Sequence, residues 1–152
     1  MDKKVITDHI HVMPRLEWDD KYSLGIDKFD SQHKELFEYI NELRDIMMGN
    51  RSEDMIEHTF KSILNFTMTH FLEEEIFLFK NEYPEYEHHK QEHDNFMNEV
   101  KGLYVQSKAD KSNSKIISAE ITGVLTEWIQ VHIVKTDKDY VEYFRSKNIE
   151  FP

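Results

Sequence analysis

Cysteine is absent from this chain, which removes disulfides, iron–sulfur clusters and thiolate nucleophiles from consideration. Glycine and proline are scarce, four and three in 152 residues, whereas an all-β domain would need many tight turns built from both. No run of about 18 apolar residues occurs, so no segment reads as membrane-spanning. Positive charge is in deficit. The 19 Lys and Arg against 30 Asp and Glu leave a net charge of -11, which argues against nucleic acid and anionic membranes as partners. Met1 to Val12 carries Lys3 and Lys4 without an apolar core. It does not read as a signal peptide, and a cytoplasmic location is the expectation. Apolar residues at 39% and charged residues at 32% place the chain among globular domains, and its length fits one domain with a sizeable core.

What is present is helical periodicity. Residues 1–17 show none and read as an N-terminal arm, leaving 18–152 as the domain. Tyr22, Leu24, Ile26 and Phe29 around Gly25 form an extended lead-in, with Asp30 or Ser31 as the expected N-cap of a first helix. That helix carries Phe29, His33, Leu36, Phe37, Ile40, Leu43 and Met47 on one face and stops at Gly49. Ser52 can cap a second helix, with Met55, Ile56, Phe60, Ile63, Leu64, Thr67, His70, Phe71, Glu74, Phe77 and Leu78 inward, ending near Lys80 and Asn81. Pro84 is expected near the first turn of a third helix, where proline is tolerated, and that helix shows His89, His93, Phe96, Met97, Val100, Leu103 and Tyr104. The polar run Ser107 to Ser114 reads as the longest loop. A fourth helix follows with Ile117, Ile121, Val124, Leu125, Trp128, Ile129 and His132. A short C-terminal helix carries Tyr140, Val141, Tyr143 and Phe144. Four amphipathic helices with short connections predict an all-α, antiparallel up-down-up-down bundle.

Each of the four helices places at least one histidine on its inward face. His70 and Glu74 are four apart, as are His89 and His93, so each pair shares a face. A single inward histidine is ordinarily a hydrogen-bonded core residue. Five of them without a metal would need five separate sets of buried partners, and imidazole with carboxylate is a ligand set for first-row metals. Asp137 lies five residues after His132, about 140° further round an ideal helix. Either the helix bulges there or Asp137 opens a new segment, and an exposed N-cap is the alternative for it. Five histidines and two carboxylates exceed the four ligands of a structural zinc and fit two metals sharing bridging carboxylates. A ferritin-like site would need two Glu-x-x-His motifs, and only Glu85-x-x-His88 matches.

His33, His70-Phe71-x-x-Glu74, His89-x-x-x-His93 and His132-Ile133-x-x-x-Asp137 together resemble, in order and spacing, the motif of the hemerythrin family. The resemblance runs from about Trp18 to Phe144, and the lead-in Trp18, Gly25-Ile26, Asp30 and His33 is similar to that of bacterial members. The longer third-to-fourth connection and residues Met1 to Glu17 depart from the invertebrate pattern without touching the motif. The resemblance implies a non-haem di-iron centre, its Fe2+/Fe3+ ions joined by an oxo or hydroxo bridge. One iron would be held by His89, His93 and His132, the other by His33 and His70, with Glu74 and Asp137 bridging. The first would be six-coordinate. The second would be five-coordinate and open, taking dioxygen end-on as hydroperoxide, reversibly. Phe37, Phe71, Trp128 and Ile129 fall near ligands by helical spacing and are the expected lining of the oxygen pocket, with ordinary bundle core as the competing reading.

The leading function is therefore dioxygen storage, transport or delivery by a monomer, with a protein partner that receives the gas as a further expectation. An oxygen or redox sensor, or a di-iron peroxidase, oxidase or nitric oxide reductase, are the alternatives. A catalyst would call for an extra inward acid, which the sequence does not offer beyond the two bridges. His9 and His11 sit in the polar arm, and His58 and His88 fall off the inward faces. Glu75 reads as solvated, or as a hydrogen-bond partner of a ligand histidine. Tyr140 resembles a family aromatic near the site, and core packing explains it equally well.

Overall fold

The computed structural model describes residues 15–52 and 54–152. His9 and His11, with most of the arm, lie outside the described residues. Four long helices follow a single 3-10 turn at Asp20–Tyr22: α1 (Asp27–Met47), α2 (Met55–Lys80), α3 (Tyr86–Ala109) and α4 (Ser114–Trp128). The last continues without a break through a π-helical stretch, Ile129–Asp137, into α5 (Lys138–Ser146). α1 packs on α2 and α4, and α3 packs on α2 and α4, which is the expected up-down-up-down bundle. No helix among the described residues is long and apolar enough to cross a membrane.

The lead-in is fastened at three points. Leu16 N–H donates to Asn41 Oδ1 and Asn41 Nδ2 donates to Leu16 O, both at 2.8 Å. Trp18 and Tyr22 pack their rings on Phe37 at 5.3 and 5.0 Å. Asp30 accepts from Leu24 N–H at 2.8 Å and from Ser23 Oγ at 2.6 Å. This corrects the expected cap. α1 begins at Asp27 after Ile26, which offers no side-chain cap. Asp30 sits inside the first turn, where its carboxylate faces back along the lead-in. Gly25 has φ +73°, and a Cβ there would run into the Arg145 guanidinium, whose Nη2 donates to Leu24 O. The left-handed conformation calls for glycine at this position, whereas the flexible end of Arg145 could swing aside from a Cβ.

Three helices end in the same way. After α1, Gly49 N–H returns to Ile46 O and Asn50 N–H to Asp45 O, with φ +81° at Gly49. This is the Schellman pairing, which uses a left-handed residue to satisfy the last carbonyls. Glu82 (φ +55°) does the same after α2, and Asn148 (φ +57°) after α5. Pro84 lies near the first turn of α3 as expected, just ahead of the N-cap Glu85. Ser52 caps no helix; α2 opens after Asp54, and Ser52 Oγ accepts from Asp54 N–H.

The expected long loop at Ser107 to Ser114 is largely helix. α3 runs to Ala109, and a 3-10 turn at Lys111–Asn113 joins it to α4. Ser107 Oγ donates to Tyr104 O at 2.7 Å, so a polar residue sits in the helix without an unmet donor. Asp110 accepts from Ser112 N–H, Ser112 Oγ and Asn113 Nδ2 and makes the turn compact.

The core is divided. One apolar cluster includes Leu36, Phe37, Ile40, Phe60, Phe71, Phe96, Val100, Ile121, Leu125, Ile129 and Ile133. A second, at the other end, holds Leu24, Ile26, Phe29, Leu78, Tyr83, Tyr140, Val141 and Phe144. On every helix a buried polar residue occupies the interval between them: His33, Glu74, His89 with His93, and Asp137.

Candidate metal centre

The seven motif residues are all buried, with at most 5% of any one exposed. Burial of this many ionisable groups is costly unless they are paired with one another or with a cation. α1 supplies His33, α2 supplies His70 and Glu74, α3 supplies His89 and His93, and the π-helical stretch supplies His132 and Asp137. The π-helix resolves the spacing problem posed by the sequence. One π turn links residues five apart, and His132 Nε2 comes within 3.0 Å of Asp137 Oδ1.

Two groups of donor atoms result. Glu74, His89, His93, His132 and Asp137 each bring one ligand atom to a common spot, within 4.8 Å of one another, and His33, His70 and Glu74 do so beside it. The two carboxylates divide their oxygens between the groups. Glu74 Oε1 lies 2.6 Å from His89 Nε2 and 3.1 Å from His93 Nε2, while its Oε2 lies 3.7 Å from His70 Nε2. Asp137 Oδ1 lies 3.2 Å from His89 Nε2, while its Oδ2 lies 3.7 Å from His33 Nε2.

The ring nitrogens converge in a way that a metal-free interior would not favour. His33 and His70 bring their Nε2 atoms to 3.1 Å, and His93 and His132 to 3.2 Å. At most one nitrogen of each pair can carry a proton toward the other. Neither buried oxygen of Asp137 makes a well-formed hydrogen bond, although Oδ1 lies 3.0 Å from His132 Nε2 and 3.2 Å from His89 Nε2, and Nδ1 of His33 and of His89 lack a partner too. Inward lone pairs and an unmet carboxylate fit a cation pair better than a hydrogen-bonded core.

The outer ring nitrogens are held from neighbouring helices. His70 Nδ1 meets Gln32 Oε1 at 2.5 Å, His93 Nδ1 meets Glu75 Oε2 at 2.9 Å, and His132 Nδ1 meets Glu92 Oε2 at 2.7 Å. Gln32 in turn donates to Glu73, which faces Lys28 at 3.3 Å. Such contacts orient ligand imidazoles and fix which nitrogen faces the centre. Glu75 is thus turned inward rather than solvated. Gln32 and Glu92 carry no motif of their own. Their one legible signal is position: each precedes a site histidine by one residue and flanks the seam to the next helix. Tyr140 Oη donates to Glu74 Oε2 at 3.0 Å, so Tyr140 belongs to the site as well as to the core. His58 and His88 are exposed and do not join the cluster, although His88 Nε2 lies 3.6 Å from Glu92 Oε1.

Charge balance splits the two groups. Burial pushes the His33 imidazole down, and pushes that of His70 down to about 3. Burial would lower His89 too, but the Glu74 and Asp137 carboxylates outweigh it and lift it to about 9; His132 is raised well above its ordinary range by Asp137, Glu74 and Glu92. Burial would raise both Glu74 and Asp137, and the facing imidazoles hold them below the usual carboxylate range. In the bare protein, protons on the three-histidine side supply the positive charge that a cation would bring.

Aromatic rings fix the imidazole planes. Phe71 stacks on His93 at 3.8 Å, and Trp128 stacks on His132 at 3.8 Å. Phe29 meets His70 edge-on at 5.7 Å, and Phe66 lies parallel to it at 6.2 Å. Of the four expected lining residues, Phe71 and Trp128 contact site histidines. Phe37 packs with Trp18 and Tyr22 one turn from His33, and Ile129 is buried in the larger apolar cluster.

Comparison with known proteins agrees with this geometry. A protein named bacteriohemerythrin from Clostridium acetobutylicum is 31% identical over 128 residues, covering 82% of this chain and 98% of its own. Bacteriohemerythrin from Pseudomonas aeruginosa is 30% identical over 133 residues, covering 88% and 84%. Solved structures of hemerythrin mutants superpose with a TM-score of 0.70 at 23% identity, covering 86% of this chain and 97% of theirs, and share the fold. The family model described as the hemerythrin HHE cation binding domain matches residues 24–144, and the chain belongs to the hemerythrin family.

Proposed function

We propose that this protein binds dioxygen reversibly at a pair of irons. His89, His93 and His132 would hold one ion, His33 and His70 the other, and Glu74 and Asp137 would bridge them. The observation that carries this reading is the division of each carboxylate between the two histidine groups. A single-ion site would give the second oxygen of each carboxylate no reason to face another histidine group. Iron is the family's metal. When bound, the irons supply reversible two-electron exchange with dioxygen.

The chain's own part is orientation and exclusion. Gln32, Glu75 and Glu92 fix three imidazoles, and the Tyr140 hydroxyl fixes Glu74 from the far side. The two-histidine side has one nitrogen fewer than its neighbour, which would leave a coordination position there for a small ligand. Phe29, Phe66 and Phe71 ring His70 with carbon, so water is kept from that side. Binding rather than turnover is the reading because the fully buried acids among the described residues are Glu74 and Asp137, which would bridge, while the inward-turned Glu75 and Glu92 are taken up by His93 and His132.

The test is iron content together with visible absorption. Two irons per chain, and a band that appears in air, fades under vacuum and returns on re-exposure, are the expected results. A reduced protein that passes irreversibly to an oxidised form while consuming oxygen would overturn the carrier reading. His70→Ala is expected to remove oxygen binding, and retention of binding would overturn the assignment of α2.

A further inference from the structure

Among the described residues, the buried side-chain nitrogen and oxygen atoms without a well-formed hydrogen bond belong to the motif residues His33, His89 and Asp137, with one exception, Oγ1 of Thr67. Thr67 is 3% exposed and is no part of the motif. A hydroxyl in a helix commonly turns back onto the carbonyl four residues earlier. Ser62 does so on His58 O, Thr69 on Asn65 O, Thr122 on Ser118 O and Thr126 on Thr122 O. Thr59, also buried on α2, crosses to Glu42 Oε1 at 3.1 Å. Thr67 does neither. An unmet buried hydroxyl is costly, so Thr67 calls for a partner that the chain does not supply.

Thr67 and Glu74 are seven residues apart and so lie on one line of α2, two turns from each other, with His70 between them. A helical side chain leans toward the N-terminal end of its helix. The His70 imidazole, which meets His33 at 3.1 Å, therefore stands over the turn that carries Thr67. On its other side Thr67 adjoins the larger apolar cluster, which holds Ile63 and Phe71, its neighbours one turn away on α2. The register of α1 against α2, set by His33 with His70 and by Glu42 with Thr59, brings Leu36 and Phe37 of the same cluster level with it. A water on Thr67 would need at least two polar partners, and these neighbours are carbon. A small ligand already anchored at the two-histidine side needs one.

We propose that the Thr67 hydroxyl donates a hydrogen bond to the outer atom of the small ligand taken up on the two-histidine side. The inference rests on the dioxygen-binding reading above and adds a preference to it. A hydrogen bond to a charged acceptor is stronger than one to a neutral acceptor, the more so in a dry interior. Thr67 thus favours ligands whose outer atom carries negative charge, and it does so without touching either ion.

The metal-free chain tests the hydroxyl by itself. Thr67→Val should leave the urea midpoint unchanged or raise it, since no bond is lost, whereas Thr59→Val takes a donor from Glu42 and should lower it. A lowered midpoint for Thr67→Val would give the hydroxyl a partner within the chain and overturn the proposal. The metal-loaded, oxidised chain tests the ligand, with azide as the anionic probe and visible absorption as the readout. Thr67→Val should raise the azide dissociation constant at least about tenfold, and Thr67→Ser, which keeps the donor, should stay within about threefold. Bound metal should be the same in all three proteins. Equal azide affinity for the natural chain and Thr67→Val, or loss of metal from Thr67→Val, overturns the proposal and leaves the dioxygen reading standing. A natural chain that holds its metal yet takes up neither azide nor dioxygen overturns both.

Discussion

Glu92 on α3 accepts a hydrogen bond from His132 Nδ1 on the π-helical stretch at 2.7 Å. The contact crosses the seam between two helices and is one of a series. Gln32 does the same for His70 and Glu75 for His93, so each helix steadies an imidazole of the next. Replacing Glu92 by Ala should weaken metal retention about 10- to 100-fold, with Glu92→Gln closer to the natural protein because an amide oxygen still accepts. Competition with a chelator of known affinity measures this, and equal retention by all three proteins would remove Glu92 from the site.

Metal-free protein should be most stable near pH 6.5. His70 titrates at about 3 when folded, against 6.5 ordinarily. Between those values the unfolded chain takes a proton that the folded one refuses. Stability therefore falls as pH drops, by about 1.4 kcal/mol per pH unit for such a group. His33 acts in the same direction. His89 titrates at about 9, so above 6.5 the folded chain holds a proton the unfolded one has released, and stability falls as pH rises toward 9. Bound metal replaces that proton and should flatten the alkaline limb. Denaturation midpoints with and without metal, taken from about pH 4 to about pH 10, distinguish the two limbs.

Tyr140→Phe removes the hydroxyl that donates to Glu74 Oε2 and leaves the ring packing in place. A buried acceptor that is itself charged loses about 1.5 to 3 kcal/mol when its donor goes, which lowers the thermal midpoint by several degrees in a chain of this size. An unchanged midpoint would mean that Tyr140 serves the core only.

Glu82 holds φ +55° at the end of α2, where Gly49 does the same work after α1. A side chain in that conformation costs about 1–2 kcal/mol, partly offset by the greater freedom glycine has when unfolded. Glu82→Gly should therefore stabilise the protein by about 0.5 kcal/mol or more, without altering bound metal. Urea denaturation at constant slope reports the difference.

These features mark how far the sequence could be read. The inward faces follow from a 3.6-residue period, which is why the bundle and the meeting of seven residues were legible. Asp137 was undecided because a spacing of five fits no α-helical face, and only a change of helix type brings it round. Ser107 looked like loop because its hydroxyl's backbone partner cannot be seen in composition. Asp30 looked like a cap because the same carboxylate can bind amides of a lead-in folded back on the helix. Gln32 and Glu92 were missed because whether a flank residue reaches the adjacent helix depends on interhelical rotation, which no single helix encodes.

The polar layer between the two apolar clusters has a mechanical consequence. The two clusters meet across a slab of imidazoles and carboxylates rather than through shared carbon. A cation pair bonded to all four helices would act as a rivet through that slab. With it, the two ends would melt together. Without it, the end built on Leu24, Phe29, Tyr140 and Phe144 would be free to open ahead of the other, so the cooperativity of the bundle would be a property conferred by its cargo.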